Sequence, residues 1–131
     1  MFRTFFALGA VNAALAVAFG AFGAHVLEGR LDADMLSAYH TGAEYHFYHA
    51  LGLLAVALAA AKLPDSRALV WSGRLLFAGI FLFSGSLYVL SMTGISWLGA
   101  ITPAGGVSFI AGWIMAAAGV WPSLKEHSNR G

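Results

Sequence analysis

Residues Tyr39–Ala50 read YHTGAEYHFYHA, and Leu51–Ala61 continue as LGLLAVALAAA. The first stretch holds three of the five histidines, His40, His46 and His49, interleaved with Glu44 and the phenols of Tyr39, Tyr45 and Tyr48. The second stretch carries no charge at all. Imidazole, carboxylate and phenol thus gather where a helix enters an apolar medium. About 20 residues cross a bilayer core, and Gly42 to Lys62 meets that length before Pro64 stops the helix. Asp32 or Asp34 is placed to cap the helix start, because a carboxylate there accepts orphan N–H groups and suits the dipole. Leu31, Met35, Leu36 and Tyr39 can form an apolar face, so Asp34 to Thr41 extends the helix at its outer end.

Composition points the same way. Hydrophobic residues make up 60% of the 131 and charged residues only 10%, where a soluble domain carries roughly 25% charged. So few charges could not cover a water-facing surface. The net charge is +1 and no basic block occurs, which removes nucleic acid as a partner. The absence of cysteine excludes disulfides, thiolate metal sites and Cys nucleophiles. Histidines, carboxylates and tyrosines are what remains for chemistry.

Three further apolar runs flank the opening stretch. The first, Thr4 to Leu27, has no charged residue between Arg3 and Glu28, and is dense in glycine and alanine. It exceeds an ordinary signal-peptide core. Asn12, its one strongly polar side chain in that half, reads as glue between helices. The third run lies between Arg74 and about residue 94, with Ser84-Gly85-Ser86 at its centre and Tyr88 one turn on. The fourth starts near Leu98 or Pro103 and ends at Trp121-Pro122. Its opening, ITPAGG, puts Pro103 in a first turn with Thr102 placed to cap. The tail SLKEHSNRG reads as frayed. The expectation is one all-α domain, a bundle of four transmembrane helices with spans of about 4–27, 42–62, 74–94 and 98–121.

Lysines and arginines orient it. Arg3, Lys62, Arg67, Arg74, Lys125 and Arg130 fall on one side, and Arg30 alone on the other. By the positive-inside rule both termini are expected in the cytoplasm. At ~1.5 Å per residue, His46 and His49 then lie roughly 6–10 Å inside the outer boundary. His25, Tyr88 and Thr102 reach the same outer half. Helical phase puts His40 and Glu44 on one face, and His46 and His49 on nearly the opposite one.

Three uses compete for these groups. Neutral imidazoles can hydrogen-bond backbone carbonyls, serines or one another and hold helices in register. A proton or small-ligand pathway could run through His25, Glu44, Tyr45 and His49. A metal site could draw on His25, His46 and His49 for Zn or Cu, and haem on His25 with His49, although His-x-x-His is a weak signal and no His-Glu-x-x-His motif occurs. Ser84 and Ser86 lack a nucleophile elbow, so nothing suggests a catalytic group.

Four motifs in order, GAFGAH (Gly20–His25), TGAEYHFYHALGLL (Thr41–Leu54), FSGSLY (Phe83–Tyr88) and TPAGG (Thr102–Gly106), resemble those of one family. It is the YgdD/YwdK-like group of small inner-membrane proteins, domain-of-unknown-function family 423, which has a small eukaryotic transmembrane relative. The resemblance implies four spans and a bacterial inner (plasma) membrane location, but no reaction. It singles out His25, Tyr45, His49, Ser84, Gly85, Ser86, Tyr88, Thr102, Pro103, Gly105 and Gly106, and leaves His40 and His46 outside the pattern. The expected function is a non-enzymatic membrane protein whose outer-half pocket of His25, Tyr45, His49, Ser84, Ser86, Tyr88 and Thr102 binds a small ligand, lipid or partner helix. A metal- or haem-binding redox or transport protein is one alternative. A structural accessory subunit of a larger membrane complex is another; the partners expected are the lipid bilayer and a second copy of the chain or a partner membrane protein.

Overall fold

A computed structural model describes residues Met1–Gly131 as helices joined by short turns, with no strand. The first helix spans Phe2–Leu27, its last turn, Gly23–Leu27, being π-helical. Gly29, at φ 84°, turns the chain away. The second helix runs unbroken over Ala33–Lys62. Asp32 caps it, accepting from the Met35 N–H at 2.8 Å, which decides between the two candidate aspartates.

The third helix begins earlier than the apolar run suggests. It spans Arg67–Thr93 because the Ser66 side chain caps it. A π-helical stretch, Ile80–Gly85, interrupts it at the Ser84-Gly85-Ser86 centre, and Gly94 at φ 72° ends it. A short 3-10 turn, Ser96–Ala100, leads into the fourth helix, Thr102–Asn129. Two expectations fail here. The helix passes through Pro122 rather than ending there, since losing one N–H does not outweigh continuing into Leu124, Lys125 and Glu126, which are good helix formers. Thr102 caps nothing, because its hydroxyl is spent on Ser86.

The first helix packs on the second, the second on the third, and the third on the fourth; no comparable packing joins first to fourth. The core is therefore built on the two middle helices, from Leu53, Val56, Ala57, Leu69, Leu76 and Ile80, with Phe5 and Phe109 plugging in from either side. Only 29 of 131 residues are buried, so most of the apolar surface faces outward. Val11, Leu15 and Val17 on the first helix and Val107, Ile110 and Ile114 on the fourth are exposed. Three helices, the first, third and fourth, are long and apolar enough to cross a membrane.

Small residues let these helices meet at backbone distance. A Cβ on Gly9 would lie 2.9 Å from the Ala50 carbonyl oxygen, and one on Gly42 would lie 3.3 Å from that of Ser84. On the fourth helix Gly105, Gly112 and Gly119 recur every seven residues. They receive the Phe83 backbone and the Leu76 and Leu69 side chains, themselves seven apart on the third helix. Serine hydroxyls stitch the same seam: Ser72 donates to the Gly112 carbonyl and Ser108 to that of Leu75, each at 2.7 Å.

Candidate functional site

The polar residues of the opening stretch divide between two sides of the second helix. His46, 3% exposed, faces the first and third helices. Its Nε2 lies 2.9 Å from Asn12 Oδ1, and its Nδ1 lies 3.0 Å from the Tyr88 hydroxyl. The Asn12 amide nitrogen is committed to the Leu8 carbonyl at 2.8 Å, so its Oδ1 can only accept. Nε2 therefore carries the proton and donates, and the neutral ring accepts at Nδ1 from the Tyr88 hydroxyl. One imidazole ties three helices together.

An aromatic layer sits on this network. Tyr39 is almost fully enclosed and donates to the Phe19 carbonyl at 2.6 Å. Its ring lies against Gly23, where a side chain would collide with it. The Tyr88 ring is 5.2 Å from that of Tyr39 and 5.0 Å from that of Phe19. Above these rings opens an apolar groove of about 390 Å³, walled by Phe19, Phe22, Val89, Met92 and Thr93 with Tyr39 and Tyr88 beneath.

His49, 6% exposed, faces the fourth helix instead. Its Nδ1 lies 2.7 Å from the Tyr45 carbonyl oxygen, one turn back, to which it donates. Its ring stacks on Phe109, centroids 3.5 Å apart and planes 9° from parallel. Tyr45 packs on Phe83 at 4.6 Å but remains 39% exposed.

The expected single pocket thus resolves into separate groups. Tyr88 joins His46, while His49 and Tyr45 join Phe109. Ser86 and Thr102 close on each other at 2.6 Å, with Ser86 also donating to the Phe83 carbonyl. Ser84 is fully enclosed, and its hydroxyl has no partner. His25 is exposed on the first helix and meets none of them. The three-histidine metal set of His25, His46 and His49 is not assembled either. His46 has both ring nitrogens bonded within the protein, His49 faces another helix, and no three His, Asp or Glu side chains converge as a metal would need. The haem pairing of His25 with His49 meets the same obstacle, one being exposed and the other buried against the fourth helix.

Residues 19–106 match the family model described as protein of unknown function (DUF423). The chain belongs to the DUF423 family. It is 59% identical over 113 residues to the UPF0382 membrane protein YwdK of Bacillus subtilis, covering 86% of this chain and 92% of that one. A UPF0382 membrane protein of Staphylococcus saprophyticus is 50% identical over 119 residues, covering 91% and 98%. No solved structure matches. Together with its apolar helices, this makes the DUF423 chain a membrane protein. The segment matched to DUF423 includes His25, His46, His49, Tyr88, Thr102 and Gly105, and excludes Asn12, Gly112 and Gly119. Sequence reading missed the partnership of Asn12 with His46. The signal available was Asn12 itself, the one strongly polar side chain in the first half of its helix, which needs a polar partner from a neighbouring helix.

Proposed function

We propose that this protein is a four-span, non-enzymatic component of the bacterial cytoplasmic membrane, with both termini in the cytoplasm, and that its outer end holds a lipid hydrocarbon chain. The observation that carries this reading is the apolar groove over Tyr39 and Tyr88. Its volume and its lining, apolar but for Thr93 and the two phenols, suit a hydrocarbon chain. Its floor is fixed in place because the Tyr88 hydroxyl is bonded to His46, which is bonded in turn to Asn12. A buried polar network here serves to hold an apolar surface rigid. The six-to-one distribution of Lys and Arg supports the orientation.

The test is lipid retention. Native mass spectrometry of the purified protein is expected to show a bound lipid that V89W, which fills the groove, removes. Equal lipid retention by wild type and V89W would overturn the reading.

A further inference from the structure

The exposed face of the third helix carries a charge that no acid in the protein answers. Arg74 lies seven residues beyond the helix start at Arg67, about 10 Å at ~1.5 Å per residue. The helix has 27 residues, roughly 40 Å, against a hydrocarbon core of about 30 Å. Centred in a bilayer it overhangs by about 5 Å at each end, so the Arg74 backbone sits about 5 Å inside the core. A charged side chain there is costly unless it reaches the interface or finds a partner. No carboxylate occurs between Asp65 and Glu126, which takes in the third helix and the fourth as far as Lys125. Those two acids line a cleft with Lys62 at the end of the second helix instead.

Trp71 sets the direction of the side chain. The guanidinium carbon of Arg74 lies over the Trp71 ring, 5.2 Å from its centroid. Trp71 is one turn nearer the helix start and is itself exposed. The charge is therefore drawn back toward the N-terminal end, the way helical side chains lean. That carries it to the level of the lipid headgroups, where indole rings also settle. The ring face attracts the cation without neutralising it, and it is the one partner the guanidinium has within the protein. Arg67, also exposed, shares the face, since seven residues make nearly two full turns. The helix start adds the positive end of its dipole.

We infer that this face of the third helix binds an anionic phospholipid, the Arg74 guanidinium donating to its phosphate oxygens while Trp71 holds the guanidinium at headgroup level. A planar guanidinium reaches two oxygens of a phosphate at once. A zwitterionic lipid neutralises its phosphate with its own ammonium group, whereas an anionic one brings a net charge to match Arg74. Only the leaflet rests on the four-span reading: with cytoplasmic termini the start of the third helix lies on the cytoplasmic side, where anionic lipid attracts basic segments.

The probes are phosphatidylglycerol and phosphatidylcholine with identical acyl chains, mixed in equal amounts with the full-length protein in detergent. Native mass spectrometry reads which lipid the protein retains. The wild type is expected to prefer phosphatidylglycerol about fivefold, as one arginine near an anionic headgroup allows. R74Q is expected to bring the ratio close to one. K125Q removes the same charge from the exposed tail and is expected to leave the preference in place. Equal retention of the two lipids by the wild type would overturn the proposal, and that comparison does not depend on any variant folding. A preference that survives R74Q, or that K125Q lowers as much, would overturn it too. Arg74 and Trp71 are not among the residues of the outer groove, so V89W is expected to leave the Arg74-dependent preference unchanged. Failure at one site is thereby distinguishable from failure at the other.

Discussion

His46 shows how an imidazole can sit among apolar helices with its hydrogen-bonding capacity met from within the protein. Both ring nitrogens are satisfied, by an amide oxygen from the first helix and a phenol from the third. Hydrogen bonds between helices in a bilayer average only about 0.6 kcal/mol, with a maximum near 1.7, so the network is worth a few tenths to one kcal/mol per bond. Y88F is therefore expected to destabilise the protein by about 1 kcal/mol, because it leaves Nδ1 an orphan acceptor. Replacing Asn12, His46 and Tyr88 together by Leu, Leu and Phe is expected to cost less than the sum of the single changes, since no orphan remains. Thermal unfolding in one detergent would measure both, and strict additivity would show that the three residues do not act as a unit. Sequence reading took Asn12 as glue between helices, put Tyr88 in the expected pocket and His46 in the candidate metal set, and helical phase separated His40 and Glu44 from His46 and His49. It could not pair residues 34 and 42 positions apart, because helical phase fixes the face of one helix and not which neighbour that face meets. His46 and His49 differ by about 60° in phase at 3.6 residues per turn, enough to send them to different helices.

At the scale of helices, the determining feature is the seam between the third and fourth. Glycines every seven residues on one helix meet Leu69, Leu76 and Phe83 every seven on the other, a repeat that suits left-handed packing of knobs into holes. Gly105 lies where the π-helical stretch brings the Phe83 backbone closest, and a Cβ there would overlap main-chain atoms, which cannot rotate aside. G105A is expected to cost about 3 kcal/mol, the upper end for overpacking. G20A, with nothing within 4 Å of the added methyl, is expected to be neutral or to stabilise by up to about 1 kcal/mol through helix propensity. Melting temperatures of the two variants would separate local packing from a general intolerance of glycine replacement. Of these three glycines sequence reading singled out only Gly105, because the recurrence every seven residues gains meaning only once the helix that faces it is known. The π-helical stretches were not legible in the chain, because they arise when packing against a neighbour outweighs the local α-helical preference, and Ser84 and Gly85 carry no signal that distinguishes the two. The start of the third helix also escaped hydropathy, since Ser66 nucleates it among polar residues that no apolarity scale counts.

For the whole molecule, the open question is the path of the second helix. The other three are apolar enough to cross a membrane on composition alone, whereas this one carries the polar cluster. Its polarity is largely cancelled from within, however. Tyr39 and His46 are fully bonded to protein partners, and His49 is half so. The cost of inserting them is correspondingly reduced. Glu44, which is exposed, falls within the first turns beyond Gly42, where a carboxylate can reach the interface. The Leu51–Ala61 part is uncharged. We therefore expect four crossings, and the cysteine-free chain makes the count measurable. Single cysteines at the exposed positions Ser37, Asp65 and Ser128 would be treated in intact cells with a membrane-impermeant maleimide. With four spans and cytoplasmic termini, S37C is labelled, while D65C and S128C react only after permeabilisation. Were the second helix to lie along the outer surface instead, Asp65 would stay on the side of Ser37 and the C-terminus would emerge there too, so all three would be labelled at once. Labelling of D65C in intact cells is the result that would remove the second helix from the membrane, and with it the depth assigned to His49.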